Sequence, residues 1–228
     1  MKLKKIATVF ALLAVGAVGS ALAGQGENIL HYTLNTDLTK STSDNVLIRL
    51  YDHAGNKLPS NNLNLQLQEI LDTDSNLVWG STGKFGNVKD DPEIAPKDVY
   101  IVEVYSQDQT LKYSLVKFEA NEISLKNGAD EQHTLTARPT VLYDQPRAFY
   151  GPADQVPADA INAVSTPKIF ALLGVAGLNT TGAEKAGYSV YMPISFFAWL
   201  PNWGNDISNY TPGTYTGSGD IIITATWL

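Results

Sequence analysis

The feature that most constrains this chain is the alternation of apolar and polar residues at a period of two. Residues 30–38 read LHYTLNTDL, and the positions on one side are Leu30, Tyr32, Leu34, Thr36 and Leu38. Successive side chains of a β-strand point to opposite faces, so this pattern is typical of a half-buried strand. The sequence therefore predicts an amphipathic strand close to the N-terminus.

The same signal recurs along the chain, between loops rich in Gly, Pro, Asn and Ser. The other predicted strands are 46–51, 63–68, 99–106, 111–118, 133–137, 140–144, 188–200 and 213–228. In the segment 63–68 the three leucines Leu63, Leu65 and Leu67 are predicted to face a core. Roughly seven to nine short strands with turn signals between them favour an all-β, immunoglobulin-like antiparallel β-sandwich.

Three segments fit this pattern less well. Residues 144–167 contain four prolines and are predicted to form a long irregular connection. The segment 169–178 fits either a short helix or a buried strand. Pro193 interrupts an apolar run, and this predicts an edge, a bulge or a strand start there. We therefore expect one sandwich domain over residues 41–228, with an insertion at about 144–187.

The N-terminus has the pattern of a secretory signal peptide. Lys2, Lys4 and Lys5 precede an apolar run at 6–18, and residues 19–23 read GSALA. A basic region, a short apolar region and an Ala-x-Ala site predict cleavage after Ala23. The run is shorter than the roughly 20 apolar residues that a spanning helix needs. Residues 24–228 are thus the expected exported chain.

Charge and composition argue against several classes of protein. The net charge is −7, and it becomes −10 without the three lysines of the leader. Nucleic-acid-binding proteins carry basic patches, and anionic lipid attracts basic segments, so neither partner is expected. The chain contains no cysteine, which leaves no disulfide, thiol chemistry or cysteine metal site.

No catalytic, metal or cofactor motif is complete. The histidines His31, His53 and His133 lie far apart, outside any metal-ligand spacing. The segment 72–76, DTDSN, lacks the glycine and the closing glutamate of a calcium loop. The segments GSTGK and GYSVY miss the spacing of a phosphate loop and of a nucleophile elbow. We therefore predict a protein that is not an enzyme and needs no cofactor.

The last predicted strand has one wholly apolar face. That face consists of Ile221, Ile223, Ala225 and Trp227. A strand of this kind at a sheet edge is an aggregation template unless another strand covers it. Strand addition supplies both main-chain hydrogen bonds and side chains to such an edge.

These features together resemble the chaperone–usher fimbrial subunits. The C-terminal GTYTGSGDIIITATWL carries a Gly-x-Tyr-x-Gly-like turn at Gly213, Tyr215 and Gly217. HAGNKLPSNNLNLQL at 53–67 and MPIS at 192–195 are similar to segments of colonization factor antigen I-like major pilins. The absence of cysteine also resembles this alternate-chaperone type more than the disulfide-bearing type 1 pilins.

The resemblance implies an incomplete immunoglobulin-like sandwich that is completed by a donor strand. Residues 24–40 would form the donor extension, with Leu30, Tyr32, Leu34, Thr36 and Leu38 entering a groove lined by Ile221, Ile223, Ala225 and Trp227. The implied partners are other copies of the subunit, a periplasmic chaperone, an outer-membrane usher and a host glycan or glycoprotein receptor. The implied location is the fimbrium at the cell surface, where the subunit serves adhesion.

Two alternatives remain open at this point. The first is a self-complete β-sandwich carbohydrate-binding adhesin or tip subunit, in which exposed aromatic residues stack on sugars. Its candidates are Tyr150, Trp199, Trp203 and Tyr210. The second is a periplasmic hydrolase whose scattered carboxylates the sequence alone does not pair.

Overall fold

The computed structural model describes residues 31–40, 46–71, 77–80, 99–142, 148–165, 170–179 and 185–227. Within these ranges the chain is almost entirely β-structure, as the alternation predicts. The strands are β1 (His31–Lys40), β2 (Val46–Tyr51), β3 (Asn62–Leu71), β4 (Leu77–Gly80), β5 (Tyr100–Ser106), β6 (Tyr113–Ala120), β7 (Ile123–Asn127), β8 (Asp130–Leu142), β9 (Phe149–Pro152), β10 (Phe170–Leu172), β11 (Val175–Asn179), β12 (Tyr188–Trp199) and β13 (Thr214–Trp227). The helix α1 spans Ala158–Ser165. The all-β, antiparallel character of the fold is confirmed.

The strands are linked into a closed circuit of hydrogen-bonded neighbours. The order β8-β7-β13-β1-β3-β4-β12 returns to β8, because β12 also pairs with β8. Strands β5 and β2 continue from β12, and β6 and β11 branch from β13. Among the described pairs only β1 and β13 run parallel; the others are antiparallel. The circuit encloses the main core.

The main core is built from the inward-facing positions of the strands in the circuit and of β5 and β6. Leu63, Leu65 and Leu67 of β3 are buried, which confirms the prediction that they face inward. The largest buried side chains beside them include Trp79, Phe118, Phe196 and Tyr215. Strand β12 contributes its even-numbered positions from Val190 to Ala198 to this core.

A smaller second core lies on the outer face of β12 and β5. Tyr191 and Phe197 of β12 and Ile101 of β5 pack there with Phe149 of β9 and Val164 of α1. Strand β12 is therefore buried on both faces, and this explains its nearly continuous apolar sequence. Strand β9 and helix α1 thus cover the outer face of β12 and β5.

A buried carboxylate ties the insertion to this face. Glu103 of β5 is fully buried between Arg49 of β2 and Tyr191 of β12, its register partners. Its Oε2 accepts hydrogen bonds from Arg49 Nη1 at 3.0 Å and from the Tyr51 hydroxyl at 2.7 Å. Its Oε1 accepts from the Ser189 hydroxyl at 2.6 Å, the Tyr191 hydroxyl at 3.2 Å and the Asp154 main-chain N–H at 2.9 Å. These groups are called the Glu103 cluster below.

Several elements differ from the sequence predictions. Strand β4 lies within the polar stretch 72–98, and β7 was not predicted at all. Segments 133–137 and 140–144 belong to one long strand, β8, because its pairing with β12 continues past Pro139. The connection 144–167 contains β9 and α1, and the ambiguous segment 169–178 forms the strands β10 and β11.

Pro193 lies inside a central strand, so the expectation of an edge or strand start was wrong. On one side β12 pairs with β5 through Pro193 itself. On the other side its pairing with β9 ends at Tyr191, and its pairing with β8 begins at Ile194. A residue without an N–H is tolerated here because the ladder on the β9 and β8 side is interrupted at this position.

The predicted signal peptide, residues 1–23, lies outside the described residues, as do residues 24–30. No helix within the described part of the chain is long and apolar enough to cross a membrane.

Candidate strand-insertion site

Strand β1 lies between the last strand, β13, and β3. It pairs in parallel with β13 over ten positions, from His31 opposite Thr214 to Lys40 opposite Ile223. It pairs antiparallel with β3 over six positions, from Tyr32 opposite Leu67 to Asp37 opposite Asn62. Because β1 separates β13 from β3, its removal would leave a gap in the circuit with two unpaired edges. This gap is called the β13–β3 groove below.

The walls of the β13–β3 groove are apolar at alternate positions. Positions 32, 34 and 36 of β1 lie opposite Leu67, Leu65 and Leu63, which are 4%, 1% and 5% exposed. Positions 38 and 40 lie opposite Ile221 and Ile223, which are fully buried. The even-numbered positions of β1 therefore share a face with the main core, and a slip of one residue would put the odd-numbered positions there.

The structure places most of the predicted site residues in or beside this groove. Tyr32, Leu34, Thr36 and Leu38 lie in β1, whereas Leu30 falls outside the described residues. Ile221 and Ile223 are register partners of β1. Ala225 is buried, but it and Trp227 pair only with β6, beyond the end of β1. These two residues therefore do not form the wall beside the described part of β1.

The opposite wall was missed by sequence reasoning. It consists of Leu63, Leu65 and Leu67 of β3, which alternation assigned to a core but not to this groove. The missing information was the pairing partner, because alternation identifies the buried face of a strand and not its neighbours.

Two glycines of β13 that lie opposite β1 allow β7 to approach β13 closely. Gly217 and Gly219 pair with Leu34 and Thr36. A Cβ at Gly217 would lie 2.6 Å from the Ser124 carbonyl oxygen, and one at Gly219 would lie 2.5 Å from Ile123 Cγ2. The absence of side chains at these two positions therefore lets β7 pack against β13.

The turn that leads into β13 is held by the close packing of Gly213 and by a hydrogen bond of Tyr215. Gly213 has φ 146°, a conformation that favours glycine, and a Cβ there would lie 2.8 Å from Asn127 Nδ2. Tyr215 is fully buried, and its hydroxyl donates to the Thr211 carbonyl at 3.0 Å. Burial raises the pKa of Tyr215 to about 12, so the hydroxyl stays protonated. The Gly-x-Tyr-x-Gly-like segment thus fixes where β13 begins.

An acidic residue anchors the loop before β13. The Asp130 carboxylate accepts hydrogen bonds from the Thr211 N–H at 3.0 Å and the His133 N–H at 3.1 Å, and its Oδ2 lies 2.9 Å from His133 Nδ1. The His133 ring packs on Tyr210, with 5.0 Å between ring centroids. Desolvation raises the pKa of Asp130, but the hydrogen bonds from Thr211 and His133 outweigh it and hold that pKa well below its usual range.

Replacement of Asp130 by Asn is expected to make the free energy of unfolding less dependent on pH in the acid range. A carboxylate with a lowered folded-state pKa stabilises the fold above its unfolded pKa, near 3.9, and this contribution is lost as the pH falls through the folded-state pKa. Asp130→Asn should therefore unfold at lower urea concentration than wild type at pH 7, and the difference should shrink steadily below about pH 4. Urea titrations at several pH values measure this; a difference that is constant from pH 7 to pH 2 would contradict it.

Little in the described residues points to catalysis. No group of three or more His, Cys, Asp or Glu side chains there could hold a metal ion. Ser189 of the GYSVY segment lies inside β12 and donates to Glu103, so it is not on a strand-to-helix turn. The segments 72–76 and 81–84 lie outside the described residues.

The four aromatic candidates for sugar stacking differ in exposure. Trp199 is 3% exposed, and Tyr150 and Tyr210 are partly buried against the main core. Trp203 is 39% exposed. Trp203 is thus the one member of this group that presents a large surface to solvent.

Comparison of the chain with protein-family models, with curated proteins and with solved structures finds no match. The features that bear on function are therefore the position of β1, the apolar walls of the β13–β3 groove and the resemblance carried by the sequence.

Proposed function

We propose that this chain is a fimbrial structural subunit that polymerises by donor-strand exchange. In the polymer, the strand at 30–38 of one copy occupies the β13–β3 groove of its neighbour. The observation that carries this proposal is the insertion of β1 between β13 and β3, with its backbone paired along both edges.

The connectivity of β1 makes exchange physically reasonable. The strand follows residues 24–30 and is joined to β2 only through residues 41–45, so it can leave the sheet without threading through it. The same strand from another copy offers the same register and the same side chains. Exchange of an identical element between copies is a low-cost route to assembly, because the strand pairing that is broken within one copy forms again between two copies.

Occupation of the groove by the chain's own strand has a consequence for assembly. A copy whose β1 fills its own groove has no open edge at the groove, so exchange requires that this strand leaves first. A periplasmic chaperone that lends a strand to the groove, and an outer-membrane usher that replaces it, would supply that step. The proposed location is therefore the fimbrium on the cell surface, where the polymer serves adhesion.

A disulfide that locks β1 in place tests the proposal. Asn35 and Ser218 are register partners, and Ser218 is exposed. Neighbouring strands lie about 4.8 Å apart, which is within the range of Cα separations that a disulfide spans. Since the chain has no cysteine, Asn35→Cys with Ser218→Cys introduces a single pair. We expect the oxidised protein to stay monomeric and the reduced protein to form polymers when warmed, as measured by size-exclusion chromatography and electron microscopy.

A second disulfide is the matched control. Lys117 and Thr224 are register partners in β6 and β13, so Lys117→Cys with Thr224→Cys crosslinks the sheet without holding β1. This variant should polymerise in both redox states. Polymer growth by the oxidised Asn35/Ser218 variant at the rate of the reduced form would sink the exchange mechanism.

The self-complete sandwich remains the second candidate, because β1 closes the circuit of its own chain. It requires that both redox states of the locked variant stay monomeric under all conditions that are tried. In that case the chain would be an independent β-sandwich module rather than a polymer subunit.

A further inference from the structure

Trp203 presents an aromatic surface from a loop at one end of the sandwich. It lies between β12 and β13 and is 39% exposed, and the other large exposed apolar residue in the described part of the chain is Ile222. Its ring is stacked on Trp199, with centroids 4.9 Å apart and planes 14° from parallel. Trp199 is itself 3% exposed and belongs to β12. The exposed indole therefore rests on a rigid base.

The backbone at Trp203 is held in an uncommon conformation. Its φ is 49°, in the left-handed region that bulky residues rarely adopt. The Trp203 N–H donates to the Leu200 carbonyl at 2.8 Å, which closes the turn. Outliers of this kind persist where the surrounding structure imposes them, and they cluster at binding sites. A Gly or Asn would fit this turn with less strain.

The loop around Trp203 is anchored at several points. Ile207 is buried in the main core, and the Tyr210 N–H donates to its carbonyl at 2.9 Å. The Thr211 N–H binds Asp130, as described above, and Asn127 Nδ2 donates to the Thr211 carbonyl at 3.2 Å. Anchoring of this kind reduces the entropy that a binding site would lose when a ligand is bound.

The residues next to Trp203 in sequence mostly have small or polar side chains. Asn202, Asn205 and Asp206 are exposed within three residues of Trp203. A Cβ at Gly204, the residue after Trp203, would meet nothing within 4 Å. One indole among amides is far smaller than the roughly 800 Å² that each partner buries in a stable protein interface. It matches a ligand with one apolar face and many hydroxyl groups.

We propose that Trp203 is the platform of a binding site for a neutral sugar. The C–H face of a pyranose ring is apolar and stacks on the indole, while its hydroxyls exchange hydrogen bonds with the amide of Asn202. Residues 200–213 contain Asp206 and no Lys or Arg. Sialylated or sulfated sugars need cationic partners, so the site selects uncharged ones.

The site belongs to the folded subunit and does not rest on strand exchange. In a polymer, however, many copies would be presented side by side, and weak single sites would gain avidity. Sugar binding lost with polymerisation intact, or the reverse, separates the two proposals.

Three variants of residues 24–228 test the site against multivalent conjugates of lactose, N-acetyllactosamine and maltose, with sialyllactose as the anionic comparison. Trp203→Asn removes the indole but suits the left-handed backbone. Trp203→Phe keeps an aromatic face, and Ile222→Thr removes the other large exposed apolar side chain as the matched control. Melting temperatures verify that each variant is folded.

We expect at least one neutral conjugate to bind the unmodified chain and Trp203→Asn to weaken it by about tenfold or more. Trp203→Phe should stay within about threefold of the unmodified chain, and Ile222→Thr should not differ from it. The proposal is overturned if no neutral conjugate binds, if sialyllactose binds better than lactose, or if Trp203→Asn leaves binding unchanged. It is also overturned if Trp203→Asn reduces self-association and not sugar binding, since the indole would then be a contact between copies.

Discussion

Deletion of residues 24–40 is expected to convert the folded chain into an aggregating one. Without β1, the β13–β3 groove would expose Leu63, Leu65, Leu67, Ile221 and Ile223 and leave both strand edges unpaired. Each such side chain contributes about 1.5–3 kcal/mol when fully buried. Even half of that burial, lost over five residues, is about 4–7 kcal/mol, which is comparable to the whole stability of many domains. Size-exclusion chromatography and thermal unfolding of the deletion variant measure the effect.

Attachment of the deleted strand after the C-terminus should restore a folded monomer. Residues 24–40 fused after Leu228 are expected to restore a monomer with a melting temperature close to that of the full chain. In the structure the start of β1 lies opposite Thr214, about 40 Å along β13 from Trp227. A flexible linker of about 20 residues spans this distance and permits either direction of insertion. Residues 31–40 joined to Leu228 by about five residues reach only the antiparallel position, so the two fusions report which direction the groove prefers.

Two charge variants of the fused strand serve as matched controls. Leu34→Asp alters a position opposite Leu65 and Gly217, on the face shared with the main core. Asn35→Asp places the same charge one residue along, opposite Asn64 and Ser218, both of which are exposed. Only the first should abolish the rescue. A deletion variant that is a stable monomer without any added strand would show that the groove does not need β1.

Strands β1 and β13 were predictable because each carries its own local signal. Alternation at 30–38 and at 221–227 identifies β1 and β13 as strands with one apolar face. It also identifies the inward leucines of β3. It does not state that β1 lies between β13 and β3, because partner choice depends on packing over the whole chain. The parallel direction of the β1–β13 pair has no local signature either.

The elements missed by the sequence were those whose local signals conflict with their final environment. Pro193 predicted an edge, a bulge or a strand start, and segments 133–137 and 140–144 were predicted as two strands. Pro193 and Pro139 nevertheless lie inside long strands, at points where the partner strand changes. The chain thus uses prolines where one ladder ends and the next begins, and only the topology reveals such points. Strand β4 is short and follows the polar segment 72–76 of the sequence, so it carries too few residues for a period to be visible.

The Glu103 cluster was missed for a related reason. In VYIVEVYS at 99–106 the glutamate occupies an alternate position that a sandwich pattern assigns to solvent. The structure buries it because the inserted segment with β9 and α1 covers this outer face. Its partners come from β2, β12 and the turn after β9, which are distant in sequence. A lone charge within an apolar strand is the only local indication that such a cluster exists.

Replacement of Glu103 by Ala is expected to destabilise the fold by about 3–5 kcal/mol, because it leaves a paired charge and several hydrogen-bond donors without their acceptor. The side chain is fully buried and accepts from Arg49, Tyr51, Ser189, Tyr191 and the Asp154 N–H. Burial raises the pKa of Tyr51 and of Tyr191, and the charge of Glu103 adds to this, so both hydroxyls stay protonated. Without Glu103 they keep Asp154 Oδ1 at 3.0 Å and the Pro152 carbonyl at 2.6 Å as acceptors, so the loss falls on Arg49 and on the Ser189 hydroxyl. Urea unfolding at pH 7 measures the loss.

Two further variants separate the charge from the hydrogen bonds. Glu103→Gln keeps the shape and one acceptor oxygen but removes the partner of Arg49, so its loss should be smaller than that of Glu103→Ala. Glu122→Gln is the matched control: Glu122 lies 3.6 Å from Arg138, but its side chain is 53% exposed, so the loss should be below about 1 kcal/mol.

The loss of Glu103 should also release the segment 148–165 first, because the Asp154 N–H and the Tyr51–Asp154 hydrogen bond at 3.0 Å both tie the turn after β9 to the sheet. Hydrogen exchange in 148–165 that rises in Glu103→Ala before exchange in β13 would support this order. Equal losses of unfolding free energy in the Glu103→Gln and Glu122→Gln variants would contradict the role assigned to the buried carboxylate.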